Sequence, residues 1–177
     1  MNLEEVLQHR RAVRVYDPLK PVDTEKVRHC LQLATLAPTS SNMQLWEAYH
    51  LTKEAISPAF IEACLGQKAV STASEVVVFV TRQDLYKQRA KQILAFEEQE
   101  NLVKYSPVEK QAARLKNRRD YYGKLMPFYY ARLGGLVGGI RKVIATTVGL
   151  FRPMVHQVTE NDVRVVVHKS CGLAAQT

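Results

Sequence analysis

Cysteine, runs of like charge and uninterrupted apolar stretches are all scarce in this sequence, and each scarcity removes a class of protein. The three cysteines, Cys30, Cys64 and Cys171, are odd in number and too far apart for a metal-ligand pair. With no signal peptide at the start, the expected state is reduced thiols in the cytoplasm rather than a disulfide framework. The most apolar stretch, residues 133–151, is cut by Arg141 and Lys142 and carries Gly134, Gly135, Gly138 and Gly139. It is too interrupted to span a membrane and reads as a buried or interface helix. Its glycines lack the G-x-G-x-x-G spacing of a nucleotide loop, no strand precedes them and no Lys-Ser/Thr follows, so close helix–helix contact is the better account. None of the five histidines stands at ligand spacing to another metal-binding type, and no metal is expected. No Ser-His-Asp arrangement can be read from the order of residues.

What is present is ordinary globular material. A chain of 177 residues with 46% apolar and 24% charged content is long enough for one core and short for two, which predicts a single domain over residues 1–177. The net charge of +8 implies an anionic partner or a basic surface. Lys and Arg are interspersed with Glu and Asp, so no stretch reads as a nucleic-acid tail.

Local signals place the elements. Asn2 and Glu5 form a capping-box pattern that opens a short helix ending near His9. Asp23 is an N-cap for a helix that presents Val27, Cys30, Leu31 and Ala34 on one face and must stop before Pro38. Residues 46–52 alternate as a short strand, and residues 57–65 read as a helix with Phe60, Ile61, Cys64 and Leu65 inward. The β-branched run at residues 76–80 is the clearest strand, and its lack of alternation predicts burial on both faces. A helical, charged excursion occupies about residues 84–152, with a second helix starting at Pro107 and Glu109. Within it Tyr121, Tyr122, Phe128, Tyr129 and Tyr130 cluster, either to stack on a planar substrate or, the reading given more weight, to pack helices or a dimer contact. Thr159 and Asp162 cap a final helix with Val163, Val166, Val167, Ser170 and Ala174 on one face.

Two polar patches carry the chemistry. Arg10, Arg11 and Arg14 put three guanidinium groups within five residues, just beyond the negative dipole end of the first helix. Arginine donates to phosphate oxygens in pairs and stays charged at neutral pH, so this is a place to hold a phosphate, although a solvated face has the same composition. The stretch from Pro38 through Thr39, Ser40, Ser41, Asn42 and Gln44 to Trp46 adds hydroxyls and carboxamides suited to a polyol and a heterocycle, although a plain loop is the alternative.

In order and spacing, Arg-Arg-x-x-Arg-x-Tyr-Asp, the helix from Asp23 and Pro-Thr-Ser-Ser-Asn-x-Gln-x-Trp resemble the N-terminal third of the FMN-dependent nitroreductase family. The resemblance implies an α+β, nitroreductase-like fold: a central, mostly antiparallel sheet flanked by helices, in an intertwined homodimer with two flavins at the interface. It also implies that FMN is held by Arg10, Arg11 and Arg14 of one chain and by Thr39, Ser40 and Asn42 of the other. Gln67, just upstream of the second strand, matches a position that approaches the flavin pyrimidine edge; taken alone it is also a polar residue after a helix-ending glycine. Ala12 and Leu45 depart from a serine and a proline common in the family. Further strands, a flavin-contacting glycine turn and a basic C-terminal segment are implied beyond the last helix, so the chain is expected to lack the C-terminal part of the fold.

The implied activity is an FMN-dependent oxidoreductase that takes reducing equivalents from NAD(P)H as co-substrate and passes them to nitroaromatics, quinones or similar acceptors. The chemistry would be ping-pong, with the flavin making the bonds and no side chain required as acid or base. The alternative is a flavin-binding or partner-binding protein without turnover. Nucleic-acid binding through the basic surface ranks last, because the aromatics do not interleave with basic residues on a strand platform.

Overall fold

A computed structural model describes residues 2–177. Among these described residues, ten α-helices and two strands follow in the order α1 (Leu3–His9), α2 (Thr24–Ala34), β1 (Trp46–Leu51), α3 (Pro58–Ala63), α4 (Lys68–Ser71), β2 (Val76–Thr81), α5 (Tyr86–Phe96), α6 (Leu102–Tyr105), α7 (Val108–Asp120), α8 (Met126–Tyr130), α9 (Leu136–Gly149) and α10 (Glu160–Gln176). Two π-helical turns, Glu97–Asn101 and Tyr121–Leu125, join α5 to α6 and α7 to α8. Among the described residues no helix is long and apolar enough to cross a membrane.

The caps lie where the local chemistry demands them. Asn2 accepts from Glu5 N–H at 2.9 Å while the Glu5 carboxylate accepts from Asn2 N–H, closing the box at α1. Asp23 accepts from Lys26 N–H at 3.1 Å and starts α2. The Thr159 hydroxyl and Asp162 make the reciprocal pair at α10.

The chain forms two compact units. The first comprises residues up to His29 with Ala48–Val78, the second Cys30–Glu47 with Phe79–Thr177. β1 and β2 pair as a two-stranded antiparallel sheet. In the second unit Arg82 N–H donates to the Leu45 carbonyl at 2.8 Å, joining the start of β1 to the end of β2. In the first unit His50, late in β1, meets Glu75, just before β2, at 2.6 Å.

The first unit has no fully buried residue among those described. Polar ties hold it instead: Tyr16 N–H donates to the Thr72 hydroxyl at 3.0 Å, and Glu75 receives the Thr24 hydroxyl at 2.6 Å. Every residue of β2 is half-buried, so the expected burial on both faces is not met: with β1 as its partner in a two-stranded sheet, the strand keeps an open edge. Phe60, Ile61 and Cys64 are half-buried as expected, but Leu65 is 86% exposed because α3 ends at Ala63 and the chain turns at Leu65 with φ 60°.

The second unit holds the core. Met43, Leu45, Ala90, Tyr122, Met126, Tyr130, Val163 and Val167 are packed together, so the aromatic cluster serves mainly as packing. Of the stripe expected on α10, Val163, Val167, Ser170 and Ala174 are buried and Val166 is half-buried. Cys30, by contrast, is exposed while Ala34 is buried, so the inward stripe of α2 lies to one side of the cysteine. The expected burial of α9 holds only in part. Gly138, Arg141 and Ala145 are buried, while Leu136, Ile140, Val143 and Ile144 are exposed. Gly138 makes a close approach, since a Cβ there would lie 3.1 Å from Glu160 N and crowd the start of α10.

Arg141 explains the charge inside that apolar helix. Its guanidinium donates to the carbonyls of Val158 (2.7 Å), Phe128 (2.9 Å), Ala131 (3.1 Å) and Tyr129, gathering the frayed end of α8 and the approach to α10. Burial lowers its proton affinity, and the Glu160 carboxylate opposes this. Arg141→Met leaves several carbonyls unpaired and is expected to lower stability by about 3 kcal/mol in urea denaturation, given about 1–3 kcal/mol per orphaned buried group; an unchanged midpoint contradicts this role.

The Thr24 hydrogen bond, and after it the His50 contact, hold the Glu75 carboxyl below the usual carboxylate range against the opposing effect of burial. Because folding lowers its pKa, Glu75 contributes stability above its unfolded value, and that contribution is lost as pH falls through the folded one. The unfolding midpoint is therefore expected to drop in that acidic window and Glu75→Gln to flatten the drop; identical acid profiles contradict the assignment.

Candidate functional site

The polar loop, residues 39–44, combines buried apolar anchors with left-handed backbone. Met43 and Leu45 enter the core at 1% and 3% exposure, while Asn42 is turned out and Gln44 is half-buried between them. Three of its residues are left-handed although none is glycine: Ser41 (φ 52°), Asn42 (φ 51°) and Gln44 (φ 45°). Such backbone is costly and clusters at binding and catalytic sites.

The loop is closed from within and anchored from outside. Gln44 N–H donates to the Thr39 hydroxyl at 3.2 Å, and the Gln44 carboxamide donates to Asn42 Oδ1 at 3.3 Å. Ser40 N–H donates to Ser170 Oγ of α10 at 3.2 Å. The Ser41 and Tyr121 hydroxyls share a hydrogen bond of 2.7 Å, and the Tyr122 hydroxyl donates to the Ser41 carbonyl at 3.1 Å. Burial pushes the Tyr130 phenol up, and a hydrogen bond with Ser40 partly offsets this.

The arginine patch belongs to the first unit. Arg10 is the C-cap of α1, and Arg11 turns back so that its guanidinium donates to the carbonyls of Gln8 (2.6 Å) and Arg10 (2.8 Å). Arg11 therefore satisfies the carbonyl end of α1. Arg10 and Arg14 are exposed and, among the described residues, pair with no carboxylate. Gln67, also exposed and in the first unit, is the N-cap of α4 without a side-chain cap bond, just past the left-handed Leu65 and Gly66.

Thr39, Ser40 and Asn42 thus share one loop of the second unit, Arg10, Arg11 and Arg14 share one stretch of the first, and Gln67 stands on a separate turn of the first. Sequence reasoning missed the loop's anchors. From sequence, Ser170 reads only as part of a packing face, and Tyr121 and Tyr122 only as members of an aromatic cluster. Nothing within a window around residue 41 signals contacts 80 to 130 residues away.

Comparison with known proteins gives one consistent answer. The model of the nitroreductase family matches residues 7–177. The Bacillus subtilis protein named "Putative NAD(P)H nitroreductase YdgI" is 34% identical over 77 residues, covering 41% of this chain and 35% of that protein. A nitroreductase family protein from Streptococcus pneumoniae TIGR4 superposes with a TM-score of 0.59 at 22% identity, covering 99% of this chain and 68% of that one. A protein from Exiguobacterium sibiricum, solved in complex with FMN, superposes with a TM-score of 0.52 at 18% identity, covering 99% of this chain and 67% of that one. The chain spans about two thirds of the length of these solved structures, and its match to YdgI covers about a third of that protein. With the family model matching nearly the whole chain and the same fold in these structures, the chain belongs to the nitroreductase family.

Proposed function

We propose that this chain binds FMN and, as an oxidoreductase, passes reducing equivalents from NAD(P)H to a nitroaromatic, quinone or similar acceptor. The observation that carries the reading is the left-handed polar loop at residues 39–44, which holds hydroxyl and carboxamide groups in fixed positions on a packed core. FMN offers a phosphate, a polyol and a heterocyclic rim, and the residues present fit each part. Arg10 and Arg14 supply guanidinium charge that, among the described residues, pairs with no carboxylate, and Thr39, Ser40 and Asn42 supply neutral donors and acceptors. Gln67 is the candidate for the ring edge. Bound FMN would supply the hydride-accepting and hydride-donating chemistry; the protein's share is positioning, and no side chain is assigned as acid or base.

The FMN-bound structure from Exiguobacterium sibiricum and the naming of YdgI for an NAD(P)H nitroreductase support the cofactor and the reductant. A homodimer is part of the proposal, with the arginines of one copy and the polar loop of another around one flavin. The first unit supports it by exposing Leu7, Val13, Val15 and Leu19 at 53–90% while burying no residue fully among those described.

Replacing Arg10 and Arg14 together by alanine is expected to weaken FMN binding roughly tenfold or more, the equivalent of one charge-assisted hydrogen bond, in a fluorescence titration. Unchanged affinity contradicts the phosphate assignment. Wild-type protein with FMN is expected to oxidise NADH or NADPH when a quinone or nitrofuran is added; a yellow protein reduced by neither nicotinamide overturns the oxidoreductase reading and leaves flavin binding alone.

A further inference from the structure

We propose that Tyr121 and Tyr122 are positioning residues that hold the loop of residues 39–44, through Ser41, in its ligand-binding form. The inference builds on the reading of that loop as a flavin-contacting surface, and it gives the helical excursion a part in the site.

The geometry converges on one residue. Ser41 is left-handed, a conformation that a serine keeps only where its surroundings over-determine it. Both of its outward polar groups are met by adjacent tyrosines, the hydroxyl by Tyr121 at 2.7 Å and the carbonyl by Tyr122 at 3.1 Å. Neighbouring side chains on a regular α-helix diverge by about 100° and do not face a common target. Here the two residues open the π-helical turn Tyr121–Leu125, a distortion that recurs at functional sites, and their rings stand edge to face with centroids 5.0 Å apart. Tyr122 is buried at 6% exposure within the core cluster, so its hydroxyl is delivered from a rigid base. Packing alone would be served equally by phenylalanine at both positions. The hydroxyls therefore act on the loop, and the loop in turn displays Ser40 and Asn42.

The proposal separates loop positioning from general stability. Tyr121→Phe, Tyr122→Phe, Ser41→Ala and the Tyr121→Phe/Ser41→Ala double variant are compared with Tyr129→Phe, whose hydroxyl donates elsewhere, to the Gln157 carbonyl at 3.3 Å. Amide hydrogen exchange at residues 39–45 is measured without flavin, and FMN affinity by titration. Each Tyr121 or Tyr122 variant is expected to speed exchange in the loop and to weaken FMN roughly fivefold, the value of one neutral hydrogen bond. The double variant is expected to match the worse of its two singles, because both remove the same bond, and Tyr129→Phe is expected to leave the loop's exchange and the FMN affinity unchanged. Unchanged loop exchange in the Tyr121 and Tyr122 variants, additive effects in the double variant, or an equal effect from Tyr129→Phe overturns the proposal. If the wild-type chain takes up no FMN, the flavin reading fails, and the exchange measurement decides the positioning role by itself.

Discussion

A serine held in a left-handed backbone conformation is the constraint on which the candidate site depends. Around Ser41 the backbone is left-handed while Met43 and Leu45 reach the core and Asn42 faces outward. Local sequence does not favour that path, and no glycine eases it. It is held by groups that arrive much later in the chain: Tyr121 and Tyr122 at the end of the excursion, and Ser170 in the final helix. The polar loop is therefore complete only when the second unit has packed as a whole.

Arg141 plays a similar part at the other end of the same unit. The carbonyls at the end of α8 and before α10 would be left unpaired without a donor, and one guanidinium serves four of them. This keeps α8, with Met126 and Tyr130 in the core, beside α10, which supplies Val163, Val167 and the Ser170 anchor. The first unit is organised on different terms. It relies on Glu75 with its Thr24 and His50 partners rather than on apolar burial, and it leaves Arg10 and Arg14 as exposed, unneutralised charge among the described residues.

Much of this was legible in the sequence wherever the cause is local. The boxes at Asn2/Glu5 and Thr159/Asp162, the Asp23 cap, both strands and the inward stripe of α10 follow from hydrogen-bonding residues and periodicity within a few positions. The family resemblance could be drawn from residues 10–17 and 38–46 because those patches are contiguous. The rest depended on tertiary partners. Cys30 and Leu65 satisfy a helical stripe on paper, but the packing of α2 and the early end of α3 leave them exposed. Arg141 reads as an interruption of an apolar run until the carbonyls around it are known. Tyr121 and Tyr122 read as packing, which they are, and nothing near them in sequence reveals that their hydroxyls terminate on Ser41.

The central claim, that this scaffold grips FMN, is tested most directly by the visible absorption spectrum of the purified protein after incubation with excess FMN and exhaustive dialysis. The account predicts a flavin spectrum that stays with the protein. A colourless protein after the same treatment would contradict it.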